Sequence, residues 1–461
     1  MQRFRARQRA TKDSERLLLC FCLLFSLAGC GGSSKTTITQ QGISVALTTG
    51  PSTIGAGANW TYTASVIGSS KQTVTWSVSG GGTIDSSTGL YIAPNTVPNP
   101  ATVTITATAA ADTTATQSAT VTVLANDPLG TVSETPLSSC TGYASYNTTP
   151  ACYQLTVSCP GAADVTAYIK VLNPSSAPIG TVLFGTGTGG SGLYDDPTGG
   201  GYEYGSNVVQ SITSAGYNTV QVSFGAPFTS SQPNGWLQGP GGVRRLACRY
   251  STIADWVYKN PGVINPAVNG AANSKPMCAT GNSGGSGAIA YAVYEYGLNT
   301  EFSMIEPTSG PVMSRIDQGC SVCSNSVEGG VCSTTGNTHP QMCYEAADAS
   351  VIDAAYQSSG DTANTPCTNA LNGSPGPDAS TLFLSDSILY QGTNTINIPG
   401  TTIKQLIGDE DSSNAVPQAF VWQGQVSPSP TQQCLPNVEH DIPSYQTGAN
   451  QIATDIIAGC H

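Results

Sequence analysis

The segment Gly281-Asn282-Ser283-Gly284-Gly285 constrains the fold of this chain more than any other part of its sequence. The residues before it, Pro276 to Thr280, are apolar and strand-like. The residues after it repeat apolar side chains at helical spacing, namely Ala288, Ile289, Ala292, Val293 and Tyr296. The glycines permit a sharp turn and close packing of the helix on the strand. The pattern therefore predicts a strand-turn-helix unit with Ser283 at the turn.

The positions of the histidines limit the chemistry open to Ser283. A serine nucleophile needs an imidazole to take its proton and a carboxylate to orient that imidazole. The chain has three histidines, His339, His440 and His461, and all follow Ser283. This excludes the chymotrypsin and subtilisin orders, in which the histidine precedes the serine, although G-N-S-G-G looks like the G-D-S-G-G of chymotrypsin-type proteases. The remaining order is serine, acid, histidine.

We predict His440 as the base, because His339 lies in a cysteine-rich segment and His461 is the last residue, where chain ends tend to be mobile. A final helix is predicted after His440, because apolar residues recur there at helical spacing, namely Ala449, Ile452, Ile456 and Ile457. His440 thus lies in the loop before that helix.

We predict Asp411 as the acid. A strand-like stretch, Ile403 to Ile407, precedes the turn Gly408-Asp409-Glu410-Asp411. Asp409 and Glu410 in the same turn stay open as alternatives.

These motifs together resemble the α/β-hydrolase superfamily over about residues 130–461. The resemblance implies a mainly parallel sheet with helices on both faces and cleavage of carboxylic esters through an acyl-enzyme, with neither cofactor nor metal. In this family, the backbone amide after the nucleophile helps to bind the oxyanion, and Gly284 has that place here. A second amide comes from the loop after an early strand. That loop is Gly185 to Gly192, in which Thr188 and Gly189 are the candidates.

The rest of this region supports an α/β class independently of the motifs. The segments Tyr153 to Ser158, Val165 to Leu172 and Thr219 to Phe224 read as strands, and Arg245 to Tyr258 and Ala346 to Tyr356 read as helices. Alternation of strands and helices predicts a mainly parallel sheet.

The first residues predict export. Residues 1–29 combine a basic start with an apolar run, Leu17 to Ala28, too short to cross a bilayer, as in a signal peptide. Leu27-Ala28-Gly29-Cys30 resembles a bacterial lipobox, which implies a lipid on Cys30, a tether over residues 30–39, and anchoring at the outer membrane or cell surface. The alternative is ordinary secretion with a chance cysteine.

Residues 40–124 form a separate region of the sequence. Alternation in Thr102 to Ala107 and in Thr120 to Val123 predicts half-buried strands. The region resembles bacterial Ig-like modules, in which Trp76 would be a core residue that does not bind ligand.

Cysteine usage agrees with export. Cys20 and Cys22 belong to the leader and Cys30 would carry lipid, so an even number remains and up to six disulfides are expected in an oxidising compartment. We expect that Cys278 need not be bridged. A zinc site is the alternative for the residues Cys320, Cys323, Cys332, His339 and Cys343. The cysteine-rich stretch, about residues 320–380, reads as an insertion that shapes the acyl pocket.

The charge limits the partners. The chain has a net charge of −12 and becomes more acidic when the basic leader is removed, so nucleic acid is excluded as a partner and a neutral ester is favoured as substrate. The sequence thus predicts an exported, lipid-anchored serine ester hydrolase. A non-catalytic surface or adhesion protein, a peptidase, an acyltransferase and a polyester depolymerase on the same fold remain the alternatives.

Overall fold

The computed structural model describes residues 42–48, 50–140, 146, 148–225, 234–266, 276–323, 332, 341–358, 361–391 and 396–461. Within this part of the chain, Ile43–His461 forms one compact unit. The predicted signal peptide, Cys30, the tether and His339 lie outside the described residues.

The N-terminal part of the described chain consists of nine strands in three small sheets. The strands are β1 Ser44–Leu47, β2 Thr53–Gly55, β3 Asn59–Thr61, β4 Ala64–Ile67, β5 Val74–Ser79, β6 Thr83–Ile84, β7 Leu90–Ile92, β8 Thr102–Ala109 and β9 Asp112–Leu124. The sheet orders are β1-β4, β2-β9-β8-β5 and β3-β7-β6. Trp76, Tyr91 and Val103 lie in their common core. Strands are confirmed here, whereas the assignment to Ig-like modules stays a prediction.

The remaining elements are eleven strands, eleven α-helices and three short 3₁₀ helices within the described residues. The strands are β10 Thr131–Pro136, β11 Ala151–Ser158, β12 Val165–Leu172, β13 Gly180–Gly185, β14 Tyr217–Ser223, β15 Met277–Asn282, β16 Phe302–Thr308, β17 Ile396–Asn397, β18 Thr402–Gly408, β19 Val426–Ser427 and β20 Thr431–Leu435. The helices are α1 Gly205–Ser214, α2 Val243–Leu246, α3 Cys248–Lys259, α4 Pro261–Ile264, α5 Gly284–Tyr294, α6 Ile316–Gly319, α7 Ala346–Ala354, α8 Pro366–Leu371, α9 Ala379–Asp386, α10 Ala415–Gln425 and α11 Gln446–Gly459.

Nine of these strands form one mixed sheet in the order β10-β11-β12-β14-β13-β15-β16-β18-β20. The pairs from β10 to β14 are antiparallel, and every pair from β14 to β20 is parallel. The predicted α/β class is therefore confirmed.

Helices cover both faces of this sheet. Successive residues of a strand point to opposite faces. In β13, Leu183 packs in one core with residues of α3 and α5, while Val182 and Phe184 pack in another core with residues of α1 and α11. Both faces of the strand are fully buried, which explains why its sequence is continuously apolar rather than alternating.

Most predicted elements agree with the observed ones to within a few residues, and one helix differs. The stretch predicted as a single helix from Arg245 to Tyr258 consists of two, α2 and α3, separated at Ala247. α7 ends at Ala354, two residues before the predicted end.

Six disulfides join all twelve cysteines that follow the N-terminal β region, which confirms that prediction. Three of them hold the cysteine-rich insertion, Cys320–Cys367, Cys323–Cys343 and Cys332–Cys434. The others are Cys140–Cys152, Cys159–Cys248 and Cys278–Cys460. The cysteines of the alternative zinc site are thus all bonded to other cysteines.

The expectation that Cys278 need not be bridged is wrong. Cys278 lies on β15, and its partner Cys460 follows α11 on the same face of the sheet. The Tyr217 hydroxyl also donates to the carbonyl oxygen of Cys460 at 2.8 Å. The end of the chain is therefore held in place, which removes mobility as the reason to set His461 aside.

No described helix is both long and apolar enough to cross a membrane.

Candidate active site

The sequence-predicted site residues follow neighbouring strands of the large sheet. Thr188 comes after β13, Ser283 after β15, Asp411 after β18 and His440 after β20. These strands run parallel, and β16 completes the series between β15 and β18. The carboxyl ends of parallel strands meet at one edge of a sheet, which is where such sheets hold their ligands. Segments far apart in sequence thereby converge.

Ser283 occupies a strained turn between β15 and α5. Its backbone has φ 53° and ψ −117°, a conformation that residues with a Cβ rarely adopt and that costs on the order of 1–3 kcal/mol. The Ser283 N–H donates to the carbonyl oxygen of Thr308 at 2.9 Å, which ties the turn to the end of β16. This geometry presents the side chain at the edge of the sheet, as in a nucleophile elbow.

Close packing explains the glycines on either side of Ser283. A Cβ on Gly284 would lie 1.8 Å from the carbonyl oxygen of Thr188, and one on Gly281 would lie 2.8 Å from the carbonyl carbon of Gly285. Both distances are well inside van der Waals contact. The glycines therefore let the loop after β13 and the start of α5 approach the turn.

Asp411 and His440 form a hydrogen-bonded pair. His440 Nδ1 lies 2.9 Å from Asp411 Oδ2, and the Asp411 side chain is fully buried. The N–H of Ser413 donates to Asp411 Oδ1 at 2.9 Å. Burial by itself would raise the pKa of Asp411, but His440 and Ser413 outweigh burial and lower it. The carboxylate is thus charged and fixed towards Nδ1, which leaves Nε2 as the nitrogen free to accept a proton.

The acid–base properties of His440 follow from its acidic surroundings. Burial would lower the pKa of His440, but the hydrogen bond and charge of Asp411 and the charges of Asp441 and Asp348 raise it overall. The imidazolium form, which arises whenever this side chain takes up a proton, is therefore stabilised.

Sequence reasoning missed Ser413. Its hydroxyl oxygen lies 3.0 Å from His440 Nδ1, beside the contact of the same nitrogen with Asp411. The hydroxyl oxygen also accepts a hydrogen bond from the N–H of Ala415 at 3.2 Å. A hydroxyl two residues after the predicted acid was the only signal in the sequence, and it does not indicate which way the turn faces.

The other candidates have structural contacts. Asp409 accepts a hydrogen bond from the N–H of Asn437 at 2.7 Å and so braces the start of the loop that carries His440. Ser286, a second serine three residues after Ser283 that could be considered as a nucleophile, is buried in α5 and donates to the carbonyl oxygen of Ser283. His461 is exposed. Among Asp409, Glu410 and Asp411, the described hydrogen bonds join Asp411 to His440.

The loop after β13 lies against the Ser283 turn. The Gly187 N–H donates to the Tyr202 hydroxyl at 2.9 Å. Thr188, which follows, has a positive φ of 52° and lies in contact with Gly284. Gly189 accepts a hydrogen bond from the Trp236 N–H at 2.8 Å and packs on Asn234.

A cavity of about 280 Å³ joins these residues. It is lined by Thr188, Ser283, Gly284, Ser413 and His440, and its other walls are Val312, Met313, Tyr344, Glu345, Asp348, Val351, Ile352, Asn414 and Ala415. The cysteine-rich insertion supplies the wall from Tyr344 to Ile352. The lining is mostly apolar, it includes two carboxylates, and it has no lysine or arginine.

No metal site accompanies this arrangement in the part of the chain that the structure describes, where no group of three His, Cys, Asp or Glu side chains could hold an ion.

Comparison with family models found no match, and comparison with curated proteins found none either. Similar solved structures include a putative hydrolase from Agrobacterium vitis, with 12% identity, a TM-score of 0.39, and coverage of 68% of this chain and 99% of its own. A carboxyl esterase from Bacillus coagulans has 14% identity, a TM-score of 0.36, and coverage of 71% and 97%. A soluble variant of monoglyceride lipase from Saccharomyces cerevisiae has 13% identity, a TM-score of 0.40, and coverage of 68% and 95%. At these identities and TM-scores, the similarity assigns neither a family nor a function to this chain.

Proposed function

We propose that the chain is a serine hydrolase of the α/β-hydrolase type that cleaves carboxylic esters through an acyl-enzyme. The observation that carries the proposal is one cavity lined by a serine in a strained turn and by a histidine that is hydrogen-bonded to a buried carboxylate. Strain at a non-glycine residue is retained where the surrounding structure over-determines it, which is common at active sites. The sheet order and the loops at its carboxyl edge support the same conclusion.

In the proposed reaction the Ser283 hydroxyl attacks the carbonyl carbon of the ester while His440 Nε2 takes its proton. The backbone N–H groups of Gly284 and Thr188 bind the oxyanion that forms, assisted by the start of α5. The tetrahedral intermediate collapses when His440 returns the proton to the leaving alkoxide, which departs as the alcohol. Water then attacks the acyl-enzyme with His440 as base, which releases the carboxylic acid and restores Ser283.

Asp411 has two roles in this proposal. Its bond to Nδ1 keeps the proton of the neutral imidazole on that nitrogen, so that Nε2 is the acceptor. Its charge stabilises the imidazolium that forms when Ser283 attacks.

The cavity walls indicate the class of substrate. The apolar side chains of the cavity suit an aliphatic or aromatic group. That group should be short, because the cavity volume of 280 Å³ is close to the lower end of the range for ligand pockets, about 300 Å³. Glu345 and Asp348 disfavour an anionic group near the ester. We therefore propose small, neutral esters as substrates.

Export and anchoring through Cys30 belong to the same proposal and rest on the sequence. They are tested by expression in a bacterium fed a radiolabelled fatty acid, in which label on the full chain and not on a Cys30→Ser variant is expected. Equal label on both chains, or none on either, contradicts the lipid anchor.

The test of the activity is labelling with a fluorophosphonate probe beside Ser283→Ala and His440→Ala, followed by peptide mapping. Label on the peptide that contains Ser283, lost in both variants while their melting temperatures stay unchanged, supports the proposal. Hydrolysis of p-nitrophenyl esters should disappear with the label. A folded Ser283→Ala protein that keeps full ester hydrolysis contradicts it.

A further inference from the structure

The side chain of Asn282, the residue before the proposed nucleophile, connects two of the loops that form the site. Its Nδ2 donates to the carbonyl oxygen of His440 at 3.2 Å and to Asp441 Oδ1 at 3.3 Å. Its Oδ1 accepts a hydrogen bond from the Thr308 hydroxyl at 2.7 Å. Asn282 is fully buried. A side chain on the nucleophile turn is thus bonded directly to the backbone of His440.

The hydrogen-bonding capacities at this position favour an amide. Two of the partners, the His440 carbonyl and the Asp441 carboxylate, only accept, so the group that faces them must donate. A further partner, the Thr308 hydroxyl, donates to Oδ1, so the group that faces it must accept. Rotating the amide by half a turn would place an oxygen against two other oxygens in a buried site, which costs free energy. The network therefore fixes the orientation of the side chain.

The third loop of the site reaches the same place through Tyr202. Its hydroxyl accepts the N–H of Gly187, the residue before Thr188. Burial raises the pKa of Tyr202, as does the negative charge of Asp441, while hydrogen bonding of its hydroxyl with the Gly187 N–H and with the Asn282 side chain lowers it. Three segments therefore meet at one cluster of polar side chains, Tyr202, Asn282 and Asp441. They are the oxyanion loop, Gly185 to Gly192, the turn that carries Ser283, and the loop after β20 that carries His440, called the histidine loop below.

The bonds that hold Ser283 itself do not involve the Asn282 side chain. The Ser283 N–H donates to Thr308, and the Ser283 carbonyl accepts from the Gly287 N–H at 3.2 Å and from the Ser286 hydroxyl. Loss of the donor on Asn282 therefore removes the tie between the nucleophile turn and the loop that carries His440, while the bonds of the strained turn itself remain.

We propose that Asn282 is a positioning residue that fixes the histidine loop against the nucleophile turn, by donating its side-chain N–H groups to His440 and Asp441. The proposal rests on the serine hydrolase function proposed above. Asn282 touches neither substrate nor the reacting atoms, and it acts through the location of His440 relative to Ser283. A displacement of about 1 Å at a reacting group can cost about 100-fold in rate, so the effect appears in kcat and not in KM.

The reciprocal exchange of donor and acceptor tests this proposal. Asn282→Asp is isosteric and keeps the acceptor for Thr308, but it removes the donor and sets one carboxylate against another. Asp441→Asn supplies a donor on the opposite side of the same contact. The four proteins of the cycle are the wild type, each single variant and the double variant. Each is measured for kcat and KM on a p-nitrophenyl ester, for its pH profile, for fluorophosphonate labelling rate and for melting temperature.

We expect Asn282→Asp to lower kcat by about 10- to 100-fold with KM unchanged, and Asp441→Asn to lower it by no more than about 3-fold, because the amide oxygen accepts the same bond. The double variant should be at least about 5-fold faster than Asn282→Asp, since the exchanged pair restores a hydrogen bond between the two positions. A purely structural role would give additive losses that follow the melting temperatures.

The pH profile separates charge from position. The acidic groups that raise the pKa of His440 are Asp411, Asp441 and Asp348. Removing the charge of Asp441 should therefore move the acid limb of kcat/KM to lower pH in Asp441→Asn, whereas the double variant transfers that charge to position 282 and should keep the limb closer to that of the wild type.

Asp441→Ala gives an independent test if Asn282→Asp fails to fold, because Asp441 is exposed. Both Asp441 variants remove the charge, and only Asp441→Asn keeps an acceptor for Asn282. We expect kcat of Asp441→Ala to be about 3-fold below that of Asp441→Asn. Equal kcat values for Asp441→Ala and Asp441→Asn overturn the proposal. A kcat of Asn282→Asp equal to that of the wild type also overturns it, and so does a folded double variant that is no faster than Asn282→Asp. A wild-type protein that neither hydrolyses esters nor labels at Ser283 overturns the proposed function, and the positioning role with it.

Discussion

Exchanging Asp411 for asparagine removes the charge that orients His440 and leaves the shape of the turn unchanged. The buried carboxylate accepts two hydrogen bonds, from His440 Nδ1 at 2.9 Å and from the Ser413 N–H at 2.9 Å. These bonds go to different oxygens, Oδ2 and Oδ1, and in an amide one of the two positions is an NH₂ group; when the amide oxygen keeps the bond from the Ser413 N–H, the NH₂ group presents a donor to Nδ1. The neutral imidazole then carries its proton on Nε2, the nitrogen that accepts the proton of Ser283 in the proposed reaction.

The size of the effect follows from these contacts. The equivalent exchange in a serine protease triad lowers kcat by about 10⁴-fold, through loss of the correct tautomer. The Ser413 hydroxyl oxygen lies 3.0 Å from the same Nδ1 and can accept a hydrogen bond from the Nδ1–H, which keeps part of the correct tautomer. We therefore expect Asp411→Asn to lower kcat by about 10³-fold, which corresponds to about 4 kcal/mol of transition-state stabilisation.

Asp409 provides the matched control, two residues away in the same turn. It accepts one hydrogen bond, from the Asn437 N–H, and the oxygen of an amide can accept the same bond. Asp409→Asn should therefore keep kcat within about 3-fold of the wild type, since its bond is retained. The assay is steady-state hydrolysis of a p-nitrophenyl ester, with melting temperatures for both variants. Full activity in Asp411→Asn, or a larger loss in Asp409→Asn at equal stability, refutes the assignment of the acid.

Three further predictions rest on other contacts. The proposed reaction requires neutral His440, whose pKa is raised, so kcat/KM should fall as pH drops through a value above the reference pKa of 6.5. Asp348→Asn removes one of the charges that raise this pKa and should move the acidic side of the pH profile to lower pH. An unchanged profile contradicts the argument. Replacing both Cys278 and Cys460 by alanine opens a loop with a sequence separation of 182 and should lower the free energy of unfolding by about 2–5 kcal/mol in urea titration; unchanged stability contradicts this. Burial, together with Asp455, raises the pKa of Glu306 well above 4.5; the folded state then holds the proton more tightly than the unfolded state, and stability falls as pH rises above 4.5. Glu306→Gln should therefore raise the melting temperature more at pH 8 than at pH 5, and an equal change at both values refutes the argument.

The strand-turn-helix unit around Ser283 was predictable because its signal is local. Glycine spacing and apolar periodicity describe the turn and the packing of the helix without knowledge of the rest of the chain. The strand order was not predictable in the same way, because β14 and β13 exchange places in the sheet relative to the chain. Parallel neighbours nevertheless bring their carboxyl ends together, so the order of Ser283, Asp411 and His440 along the chain was sufficient to predict that they lie close together.

The contacts that refine the site are long-range, and the sequence carries no signal for them. From the sequence alone, Asp409 and Asp411 are equally plausible as the acid, because both lie in the same turn. Only the orientation of that turn relative to His440 shows that Asp411 is the one that contacts it. The bond from Asn282 to the His440 carbonyl joins residues 158 positions apart. The pairing of Cys278 with Cys460 depends likewise on the packing of α11 beside β15. Each of these depends on the distance between two loops, which the assembled sheet determines.

The N-terminal β region is part of the same structural unit as the proposed catalytic region. Arg244 in α2 is buried and binds Asp127 at 2.6 Å, Glu295 at 2.8 Å and the carbonyl oxygen of Ala56 at 2.8 Å. A buried guanidinium that loses an acceptor is destabilising, because the donor is left without a bond in a site that water reaches poorly. Loss of residues 43–124 removes that acceptor and exposes the apolar surface around it.

Another contact between these regions leads towards the cavity. Asn59 of β3 donates to Asp386 Oδ1 at 2.6 Å, and Asp386 Oδ2 accepts a hydrogen bond from the Tyr356 hydroxyl at 2.6 Å. Tyr356 follows α7, whose Ile352 lines the cavity. The position of α7 therefore depends in part on a carboxylate that the N-terminal β region also binds. Because of this shared carboxylate, a chain that lacks residues 43–124 should lose stability and cavity shape together, so reduced activity in such a chain reports on packing and not on a spacer role.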